Sequence, residues 1–239
     1  MKVELNPAFV LHRRPYRETS LLLDVFSCDH GRVGLLAKGA RQGKNSRAEI
    51  LQPYQPLQLA WSGKGELMTL TRAEADRPAY LLKDRKLIAG FYLNEIIIRM
   101  LHQHEAHPDL FRIYDRTLHL LSMESSDEES VIRIFEKRFL DSIGYGPVLD
   151  RDVTTGESIK PDRHYYYQAD HGPSVNAPDT SDYIEISGNT LDAVDKEKFD
   201  SAETLQEAKL LMRFILQKHL GDKPLASRKL YKMYLDNLK

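Results

Sequence analysis

Four cations stand in the segment LLAKGARQGKNSR, residues 35–47: Lys38, Arg41, Lys44 and Arg47, with two glycines among them and no acid. Cations on a glycine-containing loop after an apolar run are the chemistry of phosphate binding. A nucleotide-binding loop needs G-x-x-x-x-G-K-[ST] between a strand and a helix. Here Gly39 and Gly43 are one residue too close, and Asn45 stands where a hydroxyl would meet magnesium. The following ILQPYQPLQLAW cannot form a long helix. A nucleic-acid backbone asks for less, because mobile Lys and Arg neutralise successive phosphates without a fixed frame. Arg13, Arg14, Arg17 and Arg32 can join the loop, and Tyr16 and Tyr54 offer rings for base stacking. Tyr54, set between two prolines, is better read as packing.

A second basic cluster, Lys223, Arg228 and Lys229, surrounds a tight turn near the end of the chain. Ser227 and Arg228 are expected in the first turn of the last helix, where free backbone donors can also meet a phosphate. The stretch with Arg133, Phe135, Lys137 and Arg138 joins cations to aromatic rings, the ingredients for an acidic partner tail ending in an apolar residue. The candidate partner-tail residues are Arg133, Phe135 and Arg138.

Catalytic patterns are lacking. No G-x-S-x-G, H-E-x-x-H or dinucleotide-binding glycine fingerprint occurs. His102, His104, Glu105, His107 and Asp109 have metal-ligating side chains, but residues two apart on a helix face different ways. They read instead as a His-rich helix C-terminus. Asp127, Glu128 and Glu129 read as first-turn charges that complement a helix dipole. The expectation is a protein that is not an enzyme and has no cofactor.

The elements that must position these residues come in blocks. The first 77 residues suggest five strands: Ala8 to Arg13, Thr19 to Phe26, Arg32 to Lys38, Leu57 to Trp61 and Glu66 to Arg72. Joined by tight turns, they fit a small closed or partly open barrel. Helical spacing begins near residue 79. Pro108 opens a second helix, and Ser126 with Glu129 suggests a capping box for a third that stops at Gly144-Tyr145-Gly146-Pro147. Residues 148–200, rich in Asp, Gly, Pro and Ser, read as an insertion with strand-like pieces at His164 to Gln168 and Tyr183 to Ile186. Asp200 with Glu203 suggests a cap for a helix to Leu220, and a last helix runs from about Leu225 to Leu238. The parts are therefore 1–78, 79–147, 148–200 and 201–239.

Composition is that of a soluble globular protein: 239 residues, 41% hydrophobic and 29% charged, with one cysteine, Cys28. A single cysteine cannot form an internal disulfide, no apolar run approaches a membrane span, and no signal peptide is evident. A cytoplasmic protein is expected. The net charge of -1 divides into about +4 over residues 1–82, -10 over 83–205 and +5 over 206–239. A basic head and tail suggest a polyanion-binding surface.

The ordered segments AFVLHRRPYRETSLLLDVFS, GRVGLLAKGAR, LQPYQPL, GKGELMTL, GFYLNEII, FEKRFLDSIGYG and LGDKPLASRKLY span Ala8 to Tyr231. Taken together, they resemble the bacterial DNA repair and recombination mediator family RecO. The resemblance implies an α+β multidomain chain: an N-terminal five-stranded OB-fold barrel, a helical domain and a small zinc-finger-like insertion. It implies binding of single- and double-stranded DNA and annealing of complementary strands. It also implies contact with the acidic C-terminal tail of single-strand-binding protein and, with RecR, loading of RecA recombinase. Such a protein would work in the cytoplasm at the nucleoid. One departure is plain. Many family members carry two CxxC pairs in the insertion, whereas residues 149–173 here contain no cysteine. No structural zinc is expected, and Tyr165, Tyr166 and Tyr167 are expected to hold the insertion by packing. The alternative is a protein adaptor whose basic residues serve acidic partner tails, with little direct DNA binding.

Overall fold

A computed structural model describes residues 2–42, 47–221 and 223–236. The chain forms two compact units, Met1–Glu124 with Pro224–Lys239, and Ser125–Lys223. This division differs from the four-part reading of the sequence, because two helices and the C-terminal helix fall in one unit with the barrel.

In the first unit, β1 (Lys2–Tyr16), β2 (Ser20–Ser27), β3 (Gly31–Ala37), β4 (Leu57–Ser62) and β5 (Leu67–Ala75) close a barrel. The strand order is β1-β2-β3-β5-β4. Strands β3 and β5 run parallel, and the other described pairs are antiparallel. This is an OB-fold barrel. Alternation puts Val33, Leu35 and Ala37 of β3 inside with Leu23, Val25, Leu59 and Trp61. Burying each large apolar side chain contributes about 1.5–3 kcal/mol. The first strand is much longer than its apolar run because it serves two neighbours. Its start pairs with β4 and its end with β2.

Helices α1 (Asp84–Met100) and α2 (Pro108–Ser122) follow. Phe9 and Phe26 point out of the barrel and meet α2, with Phe9 5.2 Å from the Tyr114 ring and Phe26 5.4 Å from Phe111. Buried Asn94 of α1 donates to the Leu11 carbonyl at 2.8 Å and accepts from the Tyr114 hydroxyl at 2.6 Å. These bonds satisfy the polar groups that the packing desolvates.

The second unit contains α3 (Glu128–Ser142), β6 (His164–Gln168), β7 (Gly172–Ser174), β8 (Ile184–Ser187), α4 (Gly188–Asp195) and α5 (Ala202–Leu220). The sheet order is β7-β6-β8. Two helix starts lie one residue beyond the expected caps. Asp127 caps α3 by accepting from the amides of Glu129 and Ser130, and Ser201 caps α5 by accepting from Thr204. In each case that side-chain oxygen is the one that reaches the open amides of the first turn. Helix α4 is too short to show a helical period in the sequence. Ser187 caps it, and Leu191 and Val194 bury its inner side. Helix α6 (Ala226–Asp236) returns to the first unit and packs on α1.

Candidate nucleic-acid interface

The outer surface of the barrel has a covered part and an open part. Helix α2 covers it at Phe9 and Phe26. The loop between α1 and α2 covers the start of β3. Gln103 bridges to Arg32, and the His104 amide donates to the Arg32 carbonyl at 2.9 Å. Gly31 has φ +63°, and a Cβ there would stand 1.8 Å from the Glu105 carbonyl oxygen, so the approach requires glycine. The Arg32 guanidinium donates to the Ile98 carbonyl near the end of α1. Its charge is favourable there. Arg32 therefore ties barrel to helix and is not presented to a ligand, contrary to the sequence expectation. The histidines of this loop lie past the end of α1 at Met100, so they are not a helix terminus.

The open part follows from the strand register. Arg14, Leu22, Leu36 and Thr69 stand side by side across β1, β2, β3 and β5. His12, Asp24, Gly34 and Leu67 form the adjacent row. Strand alternation turns both rows outward. His12 Nδ1 lies 3.9 Å from Asp24, and Leu67 is 50% exposed. Sequence reasoning missed His12 and the three leucines. For Leu22 and Leu36 the signal was the alternation within TSLLLDVF and RVGLLAK, which looked like continuous apolar runs.

At one end of this surface the β1–β2 turn, residues 17–19, meets the segment that follows β3. They border an open depression of about 970 Å³ lined by Tyr16, Arg17, Thr19, Leu36, Lys38 and Gly39. Arg14, Arg17 and Lys38 are exposed, and Arg17 lies 5.3 Å from the centre of the Tyr16 ring. The other arginines are bonded to the chain itself, Arg41 while remaining exposed. Arg13 donates to the carbonyls of Ala48 at 2.9 Å and Leu51 at 3.3 Å. Arg47 donates to the Lys38 carbonyl at 2.9 Å. Arg41 donates to the carbonyls of Arg17 and Glu18 at 2.6 Å each and of Ser20 at 3.2 Å. Lys44 lies outside the described residues.

The second basic cluster differs from expectation in one respect. Lys223 and Lys229 are exposed and Arg228 is half-buried. The first-turn amides of α6 are not open to phosphate, because Ala226 N and Ser227 N donate to the Glu95 carboxylate at 2.8 and 2.9 Å. The Ser227 hydroxyl joins them at 2.6 Å. A carboxylate at a helix start is the internal equivalent of a bound anion.

The expected partner-tail residues lie mostly inside the second unit. Arg133 is 6% exposed and Phe135 fully buried. Arg133 Nε lies 3.1 Å from Glu136. A buried cation needs such a partner, and Glu136, three residues on, was the available clue. Arg138 is half-buried and donates from Nε to the two Glu197 oxygens at 2.9 and 3.0 Å, which raises its pKa. Neither Arg133 nor Phe135 can form the rim of a surface groove.

In the insertion, Tyr165 and Tyr167 are buried, and Tyr166 meets Tyr183 edge-on at 5.3 Å. A further residue, unnoticed in the sequence, organises the fold. Asp152 is 2% exposed. One carboxylate oxygen accepts from the amides of Thr154 at 2.7 Å and Thr155 at 2.9 Å, and the other from Val175 at 2.8 Å. These residues do not fit a zinc ion. The cysteine lies elsewhere in the chain, and both oxygens of Asp152 are taken by amides. Among the described residues no cluster of three or more His, Cys, Asp or Glu is placed to hold a metal.

Comparison with known proteins bears on the same two regions. The family model for the recombination protein O N-terminal region matches residues 1–78. The model for the recombination protein O C-terminal region matches 85–229. The chain belongs to the recombination protein O family. Among its relatives, the DNA repair protein RecO of Methylococcus capsulatus is 45% identical over 231 residues, covering 97% of this chain and 94% of that protein. The DNA repair protein RecO of Nitrosococcus oceani is 41% identical over 228 residues, covering 95% and 92%. That of Nitrosospira multiformis is 41% identical over 232 residues, covering 97% and 96%.

Proposed function

We propose that the protein is a DNA-binding recombination mediator in DNA repair. It binds single- and double-stranded DNA, anneals complementary strands and, with RecR, helps load RecA on DNA coated by single-strand-binding protein. The observation that carries this reading is the grouping of Arg14, Arg17 and Lys38 beside Tyr16 at the open end of the OB barrel. Such barrels use strands two and three and the adjoining loops to hold oligonucleotides. The cations take phosphates, and Tyr16 offers a face to a base. Arg13, Arg41 and Arg47 support these loops, Lys44 extends the basic segment, and Lys223, Arg228 and Lys229 form a second tier. Annealing two polyanions needs charge neutralisation and no catalytic group. An acidic tail of single-strand-binding protein would meet exposed cations rather than Arg133 or Phe135. A DNA ligand implies work in the cytoplasm at the nucleoid. No described helix is long and apolar enough to cross a membrane.

A second reading has an observation of its own. Leu22, Leu36 and Leu67 give the open strand face an aliphatic floor where stacking would favour aromatic rings. Such a floor suits an adaptor that docks protein. Fluorescence anisotropy of a labelled single-stranded oligonucleotide across a salt series separates the two. DNA binding by the barrel gives log affinity falling with log salt at about -0.7 per phosphate neutralised. Absence of binding at low salt refutes the DNA reading and favours the adaptor.

A further inference from the structure

We propose that Arg41 is a positioning residue that sets the β1–β2 turn for polyanion binding. The inference rests on the DNA reading and divides labour among the loop cations. The Arg41 guanidinium gives its Nε and Nη2 to three carbonyls of one short segment: Arg17 and Glu18 at 2.6 Å each from Nη2, and Ser20 at 3.2 Å from Nε. Its own amide adds a fourth bond, to the Thr19 carbonyl at 2.8 Å. Every residue from Arg17 to Ser20 thus gives its carbonyl to Arg41.

That turn needs holding. Arg17 has φ 51°, a left-handed conformation that a side chain bearing Cβ adopts at a cost and keeps only when its surroundings fix it. In this conformation the Arg17 guanidinium lies 5.3 Å from the centre of the Tyr16 ring, beside Lys38 at the edge of the depression. Planar Arg is suited to the task because its fork of donors reaches several carbonyls at once. The single ammonium of lysine does not reproduce that geometry. Arg41 therefore acts through Arg17. Without it the turn relaxes, and the cation that meets phosphate loses its place.

The test uses the full-length protein, a labelled oligothymidylate, and the variants Arg41→Ala, Arg41→Lys, Arg17→Ala and the double variant Arg17→Ala/Arg41→Ala. Arg17→Ala is expected to flatten the salt slope by about 0.7, the loss of one phosphate contact. Arg41→Ala and Arg41→Lys flatten it equally, and each weakens binding by about tenfold. The double variant matches Arg41→Ala within about twofold, the tolerance for independent effects. Trypsin supplies a readout without DNA. It cleaves after Arg17 faster in both Arg41 variants, while the thermal midpoint by circular dichroism shows that they remain folded. Wild-type affinity and slope in Arg41→Lys, additive losses in the double variant, or unchanged cleavage after Arg17 would each overturn the role. If wild-type protein fails to bind the oligothymidylate, the DNA reading itself falls.

Discussion

Replacing Asp152 by asparagine changes one oxygen to an amide group and removes one charge, with almost no change in volume. Three backbone amides from two segments, Thr154 with Thr155 and Val175, converge on this carboxylate. Hydrogen bonds to a charged acceptor contribute about 1.5–3 kcal/mol each. In Asp152→Asn the carbonyl oxygen can keep Thr154 and Thr155 as neutral, weaker bonds, while the new NH2 faces the Val175 amide, donor against donor. The expected cost is about 2–3 kcal/mol near neutral pH. For a unit of this size that lowers the melting midpoint by about 10 °C. The pH dependence has a definite sign. Burial raises the pKa of Asp152, but the amides of Thr155, Val175 and Thr154 outweigh it, and the net shift is downward. A carboxylate with a depressed folded pKa stabilises the fold above its unfolded pKa, about 4, and that contribution fades as pH falls through the folded value. The gap between wild type and Asp152→Asn should be full at about pH 7 and narrow steadily below about pH 4. Thermal melts by circular dichroism, with limited proteolysis of residues 148–187, supply the assay. Adding a chelator should leave the wild-type midpoint where it is, because both oxygens of Asp152 are held by backbone amides. An Asn variant as stable as wild type near neutrality, or a gap that persists unchanged at low pH, would refute the reasoning.

Three further outcomes are expected. Arg32→Ala should leave the DNA salt slope within error of wild type while lowering the melting midpoint of the first unit, because its guanidinium is bonded to the Ile98 carbonyl; a slope lower by about 0.7 would return it to the phosphate-binding set. Glu95→Ala should loosen the start of α6 by about 1–2 kcal/mol, measured as faster hydrogen exchange at Ala226 and Ser227, since both amides lose their acceptor. Phe135→Ala should cost about 3–5 kcal/mol of stability in the second unit. If it instead left the midpoint intact and abolished acidic-peptide binding alone, the burial argument would fail.

Much of the architecture was open to reading along the chain. Turn residues between apolar runs, as at Asp29-His30-Gly31 and Ser62-Gly63-Lys64-Gly65, delimited the barrel strands. Helical spacing from Leu81 onward marked α1, and Pro108 the start of α2. Local chemistry decides these features, so local sequence shows them. Helix α4 was less visible because it is short, and the long first strand and the Asp152 anchor because each takes its form from a neighbour distant in sequence. Strand β1 is extended at its start by pairing with β4, and Asp152 is held by Val175.

The same distinction governs the basic loop. The sequence by itself set which cations exist, Lys38, Arg41, Lys44 and Arg47 after one strand, with Arg13, Arg14 and Arg17 earlier in the chain. Only the tertiary structure decided which of them face outward. A guanidinium takes the acceptors within its reach, and folding brought the carbonyls of Arg17, Glu18 and Ser20 to Arg41, those of Ala48 and Leu51 to Arg13, and that of Ile98 to Arg32. Charge is a property of the residue, but whether that charge meets a backbone carbonyl or the solvent depends on how distant segments come together.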